Sequence, residues 1–440
     1  MRRRKELERL RSRLVVISMD GLSEREMFAA ARLPGFRHLL EQGTSFGTLR
    51  GIYPTLTYVA HATLTTGRFP EAHGISHNHP FQPGVPVHRQ RWHWYASEVR
   101  TPTLFDLARD EGLTTAAVLW PLCAGAQITW NFPEIVALPG ESQTLKVLHT
   151  GSPGYLLNLE RKFRKYRRGR EQPFLDDYVS RCAAYTIRSR KPNLLMTHLI
   201  ALDDAKHATG TESPESREAL SALDAGLSRI LEAIEESGAS DRTTVVVVGD
   251  HGHMDIDRRV RLNRMLEALG LCGRLDGEFR WRAWFRCSGG SAFLHIKPGD
   301  PGAASEARAV LEAAREDPEI GIAAVHEGAE LDALRCGSGA LCAVDARPGV
   351  QFLEDTDGRF IEHSPARGAF GADHGYHPDL PGYRSLFLAA GPGIAQGSAP
   401  EEAGLEDVAP TLARALGLSF PSVDGGELPI FEHSRGVVYA

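Results

Sequence analysis

Three apolar runs in this sequence end in side chains that can hold a cation. "RLVVISMD" ends at Asp20, "NLLMTHLIALDDAKH" carries Asp203 and His207, and "TTVVVVGDHGH" carries Asp250 and His251. One aspartate after an apolar run usually caps a helix or forms a turn. Several of them on one sheet edge, with imidazoles beside them, would crowd like charges into a cleft, which is costly unless a cation compensates. The donors are oxygens and imidazole nitrogens without thiolate, a set that favours Zn2+, with Mn2+ or Fe as alternatives. Further along, "GADHGYHP" places His374 just before the apolar run "SLFLAAG", where it supplies another imidazole to the same edge.

The elements that must position these residues are legible as a repeated pattern. Helical stretches such as "TPTLFDLARDEG", "FLDDYVSRCAAYTIRSR" and "SPESREALSALDAGLSRILEAIEESG" alternate with near-continuous apolar strands "TTAAVLW", "NLLMTHLIALD" and "TTVVVVGDHG". Such alternation predicts an α/β fold: a doubly wound, mostly parallel sheet covered by helices on both faces. Ligand sites in these sheets lie beyond the carboxyl ends of the strands, where the acidic residues fall. More than a hundred residues separate His251 from His374. They include helix-like "RRVRLNRMLEALG" and "PGAASEARAVLEAARED" and strand-like "FRWRAWFRCSGGSAFLHIK" and "IGIAAVHEG", enough for a small α+β cap. The expected layout is therefore a discontinuous core of residues 1–255 and 374–440 with an inserted cap subdomain at 256–373.

Composition narrows the classes of partner. The 440 residues are 42% hydrophobic and 24% charged with a formal net charge of −6, which suits a folded globular chain and argues against nucleic acid or an anionic membrane as a stable partner. The basic runs at 1–13 and 161–170 are local exceptions; the second is expected to be a solvated face that could also draw in polyanionic substrates. No apolar run reaches the roughly 18 residues of a membrane span. "LVVISM" is too short for an export signal, so a cytoplasmic location is expected. The six cysteines are scattered without a CxxC pair, in keeping with reduced thiols.

One stretch is unusually rich in hydroxyls. "YPTLTYVAHATLTTGRFPEAHG", residues 53–74, holds five threonines, and helical stretches of this kind most often simply pack. Together with "VISMDGL", "GISHN", "DDAKH", "GDHGH", "DHGYHP" and "LEDVAPTLARALGL", however, it resembles the alkaline phosphatase superfamily, and more narrowly its nucleotide pyrophosphatase/phosphodiesterase family. That resemblance implies a hydrolase that attacks phosphodiester or pyrophosphate bonds with a threonine held between two divalent metal ions. It assigns the nucleophile to Thr57, one metal to Asp203, His207 and His374, and the other to Asp20, Asp250 and His251 with the Thr57 oxygen. Asn78 matches the family's donor to a nonbridging phosphoryl oxygen. Tyr58 takes the place of an aromatic that stacks on a nucleobase, with Trp92, Trp94 and Tyr95 as an opposite wall. The remaining threonines (Thr55, Thr63, Thr65 and Thr66) are expected to pack or cap, and His61, His73 and His77 to be structural or supporting.

The chain departs from the family just after the nucleophile, reading "YVAH" where relatives commonly show Phe-Pro-Asn-His, which affects the shape of the substrate pocket. The expected substrate is a small phosphoester, nucleotides included. The alternatives are a related hydrolase of phosphonates (phosphonoacetate type) or phosphomonoesters and, outside enzymes, a metal-stabilised binding protein. Sulfatase chemistry is disfavoured because no cysteine stands at the nucleophile position.

Overall fold

The computed structural model describes residues 12–42, 45–366, 368–397 and 403–432. All but the last two positions of the N-terminal basic run lie outside the described residues. The central sheet has seven strands: β1 (Arg13–Met19), β2 (Ser45–Leu49), β3 (Thr115–Trp120), β4 (Trp130–Pro133), β5 (Leu194–Leu199), β6 (Thr243–Val248) and β7 (Ser385–Ala390). Their order is β2-β7-β6-β1-β5-β3-β4. β6, β1, β5, β3 and β4 run parallel, whereas β7 pairs antiparallel with both β6 and β2.

β1 lies between β5 and β6, and its residues alternate between two cores as the strand period of two requires. Val15, Ile17 and Met19 pack into one layer against the helices Phe174–Ser189 and Pro214–Glu236. Leu14 and Val16 face the other layer, which holds helix α1 (Thr57–Thr66). α1 is buried at every position, so it is apolar or small all round rather than amphipathic.

The chain leaves the sheet region after β6 through the short strand Met254–Asp255 and returns through Ala372–Asp373, which pair antiparallel. Between them stands a second layer: a four-stranded antiparallel sheet of Ala283–Cys287, Ser291–Ile296, Cys342–Ala346 and Ile322–Glu327, with helix Pro301–Arg315. Its apolar cluster includes Val260, Leu266, Phe285, Leu294 and Val344. The helix expected from 258 onward begins only at Asn263, because Arg258–Val260 is a strand between Val350–Phe352 and Ile361–His363. A helical window read on its own cannot reveal partners about a hundred residues downstream. Among the described residues no helix is long and apolar enough to cross a membrane, and all six cysteines are free and buried.

Candidate active site

The carboxyl ends of β1, β5 and β6 converge as the pattern of acids foretold, but Asp203 and His207 sit differently from the expectation. β5 stops at Leu199, and both residues lie on helix α2 (Ala201–Thr209), one turn apart on one face. The helix starts there because the buried Asp176 carboxylate accepts the N–H groups of Ile200 and Ala201 at 2.9 and 2.8 Å.

Three donor groups result, the third of them (His61, His198 and Asp250) sharing Asp250 with the second. In the first, His207 Nε2 and His374 Nε2 lie 3.3 and 4.0 Å from Asp203 Oδ1. Each ring is held from behind: His207 Nδ1 is 3.0 Å from the Ala372 carbonyl, and His374 Nδ1 is 3.2 Å from that of Thr55. Those contacts make Nδ1 the donor to a carbonyl in each ring and turn Nε2 toward Asp203, the arrangement of metal-binding imidazoles. In the second group, His251 Nε2 lies 3.3 Å from Asp20 Oδ1 and 3.4 Å from Asp250 Oδ2. Asp250 Oδ1 is spent on the N–H groups of Gly21 and His251, both at 3.0 Å. The groups touch through the stacked rings of His251 and His374, 4.0 Å between centroids.

Charge in this cleft is out of balance without a cation. Burial, and then repulsion from Asp203 and Asp250, pushes the Asp20 carboxyl well above its ordinary range. Burial drives His251 and His374 down to about 3, so both rings are neutral ligands near neutral pH. Burial also works against protonation of His207, but Asp203 outweighs it and raises that ring to about 10. Asp20 Oδ1 and Asp250 Oδ2 are buried with no hydrogen-bond donor. Oxygen and imidazole donors of this kind, aimed at common points, fit divalent cations at the first two groups.

Thr57 opens α1, and its Oγ1 lies 3.2 Å from His251 Nε2, facing the second group. The other threonines are occupied elsewhere: Thr55 Oγ1 donates to the Tyr376 carbonyl, Thr63 to that of Arg68, Thr65 to that of His61 and Thr66 to that of Ala62. Asn78 Oδ1 accepts the Tyr58 N–H at 2.9 Å, which orients its NH2 group as a free donor. His61 Nδ1 donates to the Thr57 carbonyl at 2.7 Å, whereas His73 bonds Thr63 and His77 meets the Cys287 carbonyl, both away from the donor groups.

The substrate-wall assignment needs correcting. Tyr58 is wholly buried and Trp94 is 2% exposed, so neither presents a face to a ligand. Tyr58 points back into the protein, where its hydroxyl donates to Glu134 Oε1 at 3.0 Å and its ring meets Trp92 edge-on. Glu134 in turn accepts from His198 Nδ1 at 3.0 Å, and His198 Nε2 reaches Asp20 Oδ2 at 3.2 Å. Tyr58 therefore belongs to a buried chain behind Asp20. Tyr58→Phe is expected to cost about 1 kcal/mol by leaving Glu134 short of a donor, read by urea unfolding.

Glu134, His198 and His253 were missed in the sequence. A histidine inside the apolar run "LLMTHLI" was the available signal for His198, since a buried imidazole needs partners. His253, two positions beyond His251, lies 3.0 Å from Asp203 Oδ1 and joins the first group.

A layered α/β sheet with paired cation-type donor groups at its carboxyl edge defines the alkaline-phosphatase-like fold. Murine ectonucleotide pyrophosphatase/phosphodiesterase 5 superposes with a TM-score of 0.67 at 19% identity, covering 94% of this chain and 97% of that one. The same protein as an inactive threonine-to-alanine variant in complex with AMP gives equal values. The model of the family described as Type I phosphodiesterase / nucleotide pyrophosphatase matches residues 14–377, and the chain belongs to that family. Among curated relatives, venom phosphodiesterase 2 of Crotalus adamanteus is 23% identical over 257 residues, 56% of this chain and 27% of that protein. Ectonucleotide pyrophosphatase/phosphodiesterase family member 3 of Mus musculus is 25% identical over 247 residues, 54% of this chain and 24% of that protein. The alignments thus span about a quarter of the length of these relatives.

Proposed function

We propose that the protein is a two-metal-dependent phosphodiesterase or nucleotide pyrophosphatase that uses Thr57 as nucleophile. The observation that carries this reading is the Thr57 hydroxyl, at a helix start, facing His251 beside two buried carboxylate oxygens with no donor. Asp203, His207 and His374 hold one cation, and Asp20, Asp250 and His251 the other, Zn2+ being the first choice. Bound there, the cations lower the proton affinity of the Thr57 hydroxyl and neutralise charge on the phosphoryl group.

Thr57 Oγ1 attacks phosphorus in line as its proton leaves, a bond to phosphorus forms, and the opposite ester oxygen departs and takes up a proton. Water then attacks the threonyl-phosphoryl ester in a second in-line step, which frees phosphate monoester and returns the hydroxyl. The Thr57 N–H, at the start of α1, is offered to the anion, and the Asn78 NH2 donates to a nonbridging oxygen. Asn78→Ala is expected to lower kcat about 100-fold, with the Asn78→Asp variant no better because it offers an acceptor where a donor is needed. Pre-steady-state and steady-state rates on one diester measure both.

Nucleotide substrates are supported by the AMP complex of the murine neighbour. Residues 256–373 act as an inserted cap whose turn at Ser288–Gly290 packs on the His374 loop, with Gly290 N–H donating to the His374 carbonyl at 2.8 Å. The buried state of Tyr58 favours a second reading, a phosphonate or phosphomonoester hydrolase with a pocket too small for a base. Bis-p-nitrophenyl phosphate, p-nitrophenyl phosphate, a nucleotide p-nitrophenyl ester and phosphonoacetate, assayed on metal-loaded and chelated protein, separate the two. Preference for the diesters supports the first reading, and no turnover on any of them leaves a metal-stabilised binding protein.

A further inference from the structure

The cap strand Ala283–Cys287 sends Phe285 and Cys287 into the cap's apolar cluster, so Arg286, one position out of phase, emerges on the other face, toward the core. There it meets the loop that carries Asn78. Arg286 Nη2 donates to the His79 carbonyl, His77 Nε2 lies 3.2 Å from the Cys287 carbonyl, and the Phe81 ring lies 4.3 Å from that of His295. Arg286 is 6% exposed, yet its guanidinium has no ion pair and no further hydrogen bond among the described residues. The Glu354 carboxylate acts on it only from a distance, and its Oε1 is taken by Trp284 Nε1 at 2.9 Å. Burial lowers the guanidinium to about 10, so it stays a cation near neutral pH. The rings beside it add no charge, because burial, and then Arg286, holds His79 and His295 at about 3. Each of these rings has a buried Nε2 without a hydrogen-bond partner. A buried cation with no counterion is costly unless an anion comes to it.

We propose that Arg286 is an anion subsite of the active site, and that the preferred substrate carries a second negatively charged group, carboxylate or phosphoryl, beside the phosphorus that Thr57 attacks. The proposal deepens the reading of Thr57 and Asn78 as the phosphoryl site and rests on it. His79 directly follows Asn78, and the turn after the Arg286 strand packs on the His374 loop, with Gly290 N–H donating to the His374 carbonyl at 2.8 Å. The guanidinium thus lies between two segments that hold the phosphoryl site. Arginine suits this task because its planar fork offers two parallel N–H bonds to carboxylate or phosphoryl oxygens. With Tyr58 buried, charge beside the scissile bond rather than stacking on a base sets the choice of substrate.

The test uses three p-nitrophenyl P-esters with one leaving group, those of methylphosphonate, phosphonoacetate and methylenebisphosphonate, on the Zn2+-loaded full chain at buffered free Zn2+. Wild type is expected to favour the second or third, which carry a carboxylate and a phosphoryl group, over the first, and the better of the two names the source of the anion. Arg286→Gln keeps an amide donor for the His79 carbonyl but loses the charge. It is expected to lower the ratio of kcat/KM for the favoured ester to that for the methylphosphonate ester about 30-fold or more. It should also melt no lower than wild type, because the cation it removes has no counterion. Arg286→Lys, which keeps the charge should the Gln variant fold poorly, is expected to give a smaller fall in the same ratio, since an ammonium cannot make two parallel bonds. No preference for a second anion in wild type, or an unchanged ratio in the folded variants, would overturn the proposal. Equal losses on all three esters with a lower melting temperature would also overturn it and make Arg286 a clip between cap and core. Should wild type hydrolyse none of the three, the reading of Thr57 fails instead, and calorimetric titration of methylphosphonate, phosphonoacetate and methylenebisphosphonate decides the subsite. Tighter binding of a doubly charged ion that Arg286→Gln abolishes supports it, and equal binding in both proteins overturns it.

Discussion

Thr57→Ala is expected to lower phosphodiester turnover by about 10,000-fold or more, the scale of losing a nucleophile that acts as one unit with its activating groups. The substitution removes only Oγ1 and the methyl group from a residue whose hydroxyl faces His251 and serves no backbone carbonyl. Thermal stability and the folded content should therefore stay close to wild type, and metal stoichiometry should hold, because the carboxylates and imidazoles remain. Steady-state rates on a diester, measured beside metal analysis and a melting curve, check all three. Alanine at Thr65 or Thr66 provides the contrast: these hydroxyls bond carbonyls of their own helix, so any effect should appear in stability and not in turnover.

Metal removal should have the next largest effect, and it should act on stability as well as rate. Turnover is expected to fall to background on thorough chelation and to return with Zn2+. At free metal about 100-fold above the dissociation constant, binding contributes about 2.7 kcal/mol to folding, so chelated protein should melt several degrees lower. The pH dependence has a definite sign. The folded-state pKa of Asp20 is raised above its ordinary 3.8, chiefly by burial and then by Asp203 and Asp250, so the folded chain binds that proton more tightly than the unfolded chain. The associated stability is present below 3.8 and is lost as pH rises through the raised folded value. Cations that compensate the carboxylate remove that loss. The gap in melting temperature between metal-loaded and chelated protein should widen as pH rises from the acid range toward neutrality. Asp20→Asn should narrow that gap by stabilising the chelated form while it lowers turnover.

Much of this arrangement was legible in the chain because local patterns carry it. Apolar runs ending at Asp20 and at Asp250-His251 are strands followed at once by chemistry, and the parallel pairing of β1 with β5 and β6 brings those ends together. His374 was readable for the same reason, as an imidazole just before β7. What escaped depended on partners far away in sequence. Asp203 was read at a strand end, but a helix begins at Ala201 because Asp176, on a preceding helix, takes up its free N–H groups. Tyr58 was read as a surface aromatic because its position beside Thr57 says nothing of Glu134, whose carboxylate draws the hydroxyl inward. The strand at Arg258–Val260 was read as helix because its two partners lie at 350–352 and 361–363. His253 went unassigned in "GDHGH", because only folding turns its ring to Asp203.

The central claim is that Thr57 forms a covalent bond to phosphorus, and the stereochemical course of hydrolysis tests it most directly. A single diastereomer of a phosphorothioate diester, hydrolysed in H2(18)O by the metal-loaded enzyme, gives a chiral monoester whose configuration can be assigned by 31P NMR. Two in-line displacements, first by Thr57 and then by water, predict net retention at phosphorus. Net inversion would mean that water attacks directly, and would contradict the account.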